Sequence, residues 1–211
     1  MWPGTGLSAN CSNVLSPATA AEYLARSGTM FDVSKGRQRY LPVFELYRMA
    51  LLADDPQAES FLQRWLGPLI HWMFIDTFGT VRTVSRHADS VTTRGAGGLE
   101  RTQFEAQERI PTARLVVMAI KQAGVRIASQ FERRIDEVMV HAARAGHRDT
   151  EDVVFYALNT FTLGAAWAMH PRAAVVIQQV ASQPELRRAK AMSDLPDHVL
   201  EEIASGARSR P

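Results

Sequence analysis

Apolar residues recur along most of this chain at spacings of three and four, the mark of amphipathic helices. In LPVFELYRMALLADD, Phe44, Tyr47, Leu51 and Leu52 share one helical face, and Phe61, Leu62, Trp65, Leu66 and Leu69 repeat the pattern. Gly67-Pro68 must kink or end that second helix, because proline lacks the amide and clashes with the preceding turn. LIHWMFIDTF continues it with little polar content, so the segment is expected to be buried on nearly every side, with Trp65 and Trp72 in the core beside the kink. The longest periodic segment runs from Pro111 to about Ala145. There Ile120, Ile127, Phe131, Ile135, Val138 and Ala142 form one stripe, with Gly124 as a weak point and Gly146 as the stop. Helix starts are marked by Ser16-Pro17, Asp55-Pro56, Asp149-Thr150, Pro184 and Pro196; Gly28 and His170-Pro171 mark ends.

One stretch breaks the helical pattern. GTVRTVSRHADSVTTRGAGG, residues 79–98, carries β-branched residues, three arginines and a closing glycine cluster. TVRTVS alternates at period two and DSVTTR can return beside it, which predicts a hairpin. The fold class expected is therefore all-α: a bundle of about eight helices, with a short β-hairpin near 80–94 and extended termini. Residues 1–16 read as a flexible or assembly arm, 17–206 as a single helical domain, and 207–211 as a basic tail. The arm has no charged side chain, and its scattered Trp2, Leu7, Val14 and Leu15 can dock on a neighbour but cannot form a core.

Composition narrows the function classes. With 46% hydrophobic and 22% charged residues, the 211-residue chain can bury a proper core. Its basic side is 21 Arg against 3 Lys. That bias has two readings: a GC-rich genome, or selection for the planar fork that grips phosphate. The uncharged run from Val153 to Met169 falls short of the roughly 20 apolar residues a membrane span needs, so a buried core helix is expected and no span. The first residues carry neither a basic start nor a continuous apolar run, so no secretory signal is expected, and the location read is cytoplasmic or virion.

Candidate chemistry is sparse. The single Cys11 excludes an internal disulfide and any multi-cysteine zinc site. The six histidines lack metal-ligand spacing, since His141 and His147 are six apart with Gly146 between them. There is no G-x-S-x-G elbow, and GAGG lacks the Lys-Ser/Thr ending of a phosphate loop. No cofactor, metal site or catalytic residue is assigned; an enzyme using the Trp65/His71/Trp72 region ranks third among the functions considered. Leu195, Pro196, Val199, Leu200 and Ile203 resemble the opening of an F-box. A proline-started amphipathic helix explains the match equally well, and no family property is carried over.

The arginines supply the remaining clue. At about 100° per residue, Arg126, Arg133 and Arg144 fall within about 20° of one another on a continuous helix. Glu137 lies on the same side and pairs with Arg133 at i,i+4. Arg82, Arg86 and Arg94 would project from the hairpin, where basic groups can release counterions from phosphates. These six residues are the candidate nucleic-acid contacts. The function expected is a non-enzymatic, self-associating helical protein contacting an RNA or DNA backbone, as a coat protein or nucleoprotein does. The alternative is a soluble helical interaction module: an adaptor, inhibitor or secreted effector.

Overall fold

A computed structural model describes residues 16–32, 36–87, 99–126, 130–181, 183 and 187–208. Arg94, Cys11, most of the arm and the last tail residues lie outside these. Among the described residues the chain is mostly helical, with ten α-helices and two separate two-stranded sheets. The all-α bundle is thus the fold, with two short hairpins where the sequence predicts one.

Helix α1 (Pro17–Ser27) starts as its sequence dictates, with the Ser16 hydroxyl accepting from the Thr19 amide at 3.1 Å. Strands β1 (Thr29–Asp32) and β2 (Arg37–Tyr40) follow as an antiparallel pair. Next come α2 (Leu46–Ala53), a 3-10 turn at Pro56–Ala58 and α3 (Glu59–Leu66). Strands β3 (His71–Ile75) and β4 (Val81–Ser85) form the second hairpin. The rest is helical: α4 (Arg101–Glu108), α5 (Ile110–Gln122), α6 (Phe131–Arg144), α7 (Thr150–Leu163), α8 (Pro171–Ala181), α9 (Arg188–Ser193) and α10 (Asp197–Arg208).

Three apolar clusters hold these elements. The first joins α2, α3 and the inner face of β3–β4 through Met49, Leu52, Trp65, Leu66 and Phe74. The second joins α5, α6 and α7 around Ile120, Phe131, Ile135 and Ala142. The third packs Trp167, Val176, Met192 and Ile203 at the C-terminal end. Trp65 lies edge-on to Trp72 with ring centroids 5.5 Å apart; Trp65 is buried and Trp72 partly so.

Two helical expectations are corrected. Residues 70–78 do not continue α3: Gly67 adopts φ +49, which ends the helix, and the chain re-emerges as β3. An L-residue side chain pays to enter this left-handed region, so a glycine there makes a clean stop. The segment from Pro111 to Ala145 is also two helices rather than one. Gly124 (φ +65) and Gln130 (φ +58) turn the chain between α5 and α6. The uncharged run forms α7 up to Leu163, where Gly164 stops it, and Asn159, Thr160 and Thr162 each donate to the carbonyl four residues back. Among the described residues no helix is long and apolar enough to cross a membrane.

Candidate assembly surface and arginine clusters

The β3–β4 hairpin has one side committed to the core and one side facing solvent. Alternation along each strand sends Trp72, Phe74, Arg82 and Val84 inward, and His71, Met73, Ile75, Val81, Thr83 and Ser85 outward. Five of the eleven large hydrophobic residues exposed among the described residues fall in this one segment: Ile70, Met73, Ile75, Phe78 and Val81. Scattered exposed apolar side chains need no explanation, but Met73, Ile75 and Val81 share the outward face of the hairpin, with Ile70 and Phe78 at its base and tip. No charged side chain points outward from either strand.

The hairpin is held at both ends. At its tip, Asp76 Oδ1 accepts from the amides of Phe78 and Thr80, each at 2.9 Å, which fixes the turn. The tip then docks on the second cluster. Thr77 donates its hydroxyl to Glu132 Oε1 at 2.5 Å, Lys121 Nζ donates to the Thr77 carbonyl at 2.8 Å, and Phe78 packs edge-on against Phe131. Glu132 is almost fully buried, and the Thr77 hydroxyl and amide, both donating to its Oε1, replace part of the water that its carboxylate loses. At the base, Arg86 Nη1 donates to the Gly67 carbonyl at 2.6 Å, and Gln63 brackets β4 by donating to the Ser85 carbonyl while accepting from the His87 amide.

A polar seam runs behind the hairpin, between the end of α2 and the start of α6. Asp54 is buried; its Oδ1 accepts from Arg82 at 2.6 Å and its carbonyl from Arg133 at 3.4 Å, while Oδ2 has no partner. Asp55 Oδ2 accepts from Gln103 at 3.2 Å. Arg109 grips Asp136 through two parallel bonds of 2.7 and 2.8 Å. The hydroxyl of Tyr47 is buried without a partner, and burial, with the nearby charges of Glu132 and Asp136, pushes it far above the ordinary phenol range.

The structure separates the six candidate arginines. Arg82 and Arg86 do not project from the hairpin: one pairs with Asp54 and lies over the Phe74 ring, and the other is tied to the Gly67 carbonyl. Strand alternation explains the first, since position 82 belongs to the inward set. Arg94 lies outside the described residues. Arg126 sits in the turn between α5 and α6, so it shares no helix with Arg133 and Arg144, and the expected alignment of the three is lost. Arg133 is bonded to Glu137 at 3.1 Å as the spacing implied. Arg126 and Arg144 are exposed and make no hydrogen bond or ion pair among the described residues.

The Trp65/His71/Trp72 region does not converge on a reaction centre. The tryptophans face inward, whereas His71 faces out with its Nδ1 2.9 Å from the Ser85 hydroxyl, and no carboxylate bonds to that ring among the described residues. One cavity, of about 270 Å³, lies between the 3-10 turn, α3 and β4, and another, of about 170 Å³, lies over the seam beside Gln103 and Gln107. Both are below the roughly 300–1,000 Å³ of ordinary small-molecule pockets. Among the described residues no group of three or more His, Cys, Asp or Glu could hold a metal ion. Comparison with family models, curated proteins and solved structures finds no match to this chain.

Proposed function

We propose that the protein is a non-enzymatic, self-associating helical protein with a structural role of the coat or nucleoprotein kind. The observation that carries this reading is the uncharged apolar face of β3–β4, held rigid at tip and base. A rigid patch loses little conformational freedom when it is covered, so more of its burial is realised as affinity. In this reading the arm, residues 1–16, supplies a second apolar contact between subunits, and of the five candidate arginines among the described residues, Arg126 and Arg144 are free to meet a nucleic-acid backbone. Arg133 is shared with Glu137, and Arg82 and Arg86 are engaged inside.

Size-exclusion chromatography with light scattering and absorbance at 260 and 280 nm tests both halves of the proposal. Assembly beyond a monomer is expected, with bound nucleic acid released as salt rises. Phosphate contacts give a log–log salt slope of about −0.7 to −0.9 per contact. A monomer free of nucleic acid at every concentration sinks the proposal and leaves the interaction-module reading in its place.

A further inference from the structure

Among the described residues no strand lies beside the outer edge of β3, and the hydrogen-bonding groups of that edge are arranged symmetrically about one residue. The amide of Arg86 donates to the Ile70 carbonyl and that of Asp76 to the Thr80 carbonyl. In an antiparallel ladder hydrogen-bonded pairs alternate with unbonded ones. The bonded pairs are therefore Ile70–Arg86, Trp72–Val84, Phe74–Arg82 and Asp76–Thr80. The amides and carbonyls of His71, Met73 and Ile75 consequently point away from β4, and no described residue pairs with them. The opposite edge differs, because Gln63 occupies the Ser85 carbonyl there. Natural edge strands guard themselves with charge, proline or a bulge. β3, HWMFI, has none of these.

We infer that β3 pairs edge to edge, antiparallel, with β3 of a second copy, on a two-fold axis through Met73. This deepens the self-association reading above and rests on it. A second copy is the occupant that fits. Aligning Met73 with Met73 places His71 opposite Ile75 in both directions, so all three outward residues find partners with none left over. No charge lies on the strand, so the two-fold brings no like charges together. Such a pairing brings the exposed outward side chains of β3, Met73 and Ile75, against their counterparts and adds the ladder hydrogen bonds, which makes a small interface below the roughly 1,000 Å² of standard ones. The pair is accordingly expected to be weak, forming as concentration rises.

The test is analytical ultracentrifugation of the full chain, with circular dichroism as the check on folding. Met73→Pro removes the one amide on the axis, and proline is tolerated where an edge amide faces solvent. Met73→Lys is the second variant; it keeps the backbone and sets two charges face to face. Each should weaken association at least about tenfold with an unchanged dichroism spectrum. In a Cys11→Ser background, Met73→Cys should form a disulfide dimer on mild oxidation. Directly opposed Cα atoms lie about 5.5 Å apart, within disulfide reach. Ile75→Cys should not cross-link, being displaced by four residues, about 14 Å, from its own copy. If the wild type associates but both Met73 variants associate equally well, or Ile75→Cys cross-links as readily as Met73→Cys, the edge pairing is wrong while self-association stands. A wild type that stays monomeric overturns both.

Discussion

Replacing Trp65 tests whether the first core cluster is built as described. Trp65 is 4% exposed, packs edge-on to Trp72 and sits among Leu52, Leu62 and Leu66. Its indole N–H is buried without a hydrogen-bond partner. Trp65→Ala removes a large buried aromatic, which costs about 3–5 kcal/mol, and within that total the ring–ring contact contributes about 0.5–1.5 kcal/mol. Trp65→Phe keeps an aromatic ring against Trp72 and deletes the unpaired N–H, whose burial costs about 1–3 kcal/mol. That relief offsets most of the lost volume, so Trp65→Phe should lose no more than about 1.5 kcal/mol. Urea unfolding followed by circular dichroism measures both. With a slope of about 2 kcal/mol/M, the alanine variant should move the midpoint by about 2 M and the phenylalanine variant by less than about 0.8 M. An alanine variant losing under about 1 kcal/mol would remove Trp65 from the core. A phenylalanine variant as damaged as the alanine one would mean that the indole N–H has a partner after all.

Three further outcomes follow from the same geometry. Thr77→Val takes the hydroxyl from buried Glu132 and should cost about 1–3 kcal/mol in a thermal melt, with faster hydrogen exchange at residues 76–80; an unchanged melt would free the hairpin tip from α6. Gly67→Ala meets two obstacles at once, a φ of +49 and the Tyr23 hydroxyl lying where the new Cβ must go, so it should destabilise by more than about 1–2 kcal/mol. Adding Tyr23→Phe should recover part of that loss, and no recovery at all would show that backbone strain dominates. Arg82→Gln leaves the buried Asp54 carboxylate without its cation and should lower stability by about 3 kcal/mol, while Arg144→Gln should leave the melt unchanged; equal melts would place Arg82 on the surface.

The helical body was legible because its signals are local. Ser16-Pro17, the Asp149 cap, which accepts from the Glu151 amide at 2.9 Å, and the three-four spacing in α2 and α3 each act within a few residues. The β3 strand was not. His-Trp-Met-Phe-Ile is apolar at both parities, so period two and period 3.6 fit it equally, and only the left-handed Gly67 decides between them. Once β3 is a strand, TVRTVS pairs backward with it, and the return strand expected at 89–94 lies outside the described residues. The α5–α6 break was flagged by Gly124 but outweighed by the length of the apolar stripe. The inward turn of Arg82 follows from its strand parity, but its partner, Asp54, lies 28 residues away, and no local pattern carries that pairing.

The two anchors of the β3–β4 hairpin give it a mechanical character. Its tip is fastened to α5 and α6, and its base to the end of α3, so it spans two of the three apolar clusters. A pull delivered along β3 by a neighbouring molecule would divide between those fastenings and load the strand ladder in shear, with its hydrogen bonds sharing the tension rather than opening one by one. Stress entering at one strand would spread through the helical body.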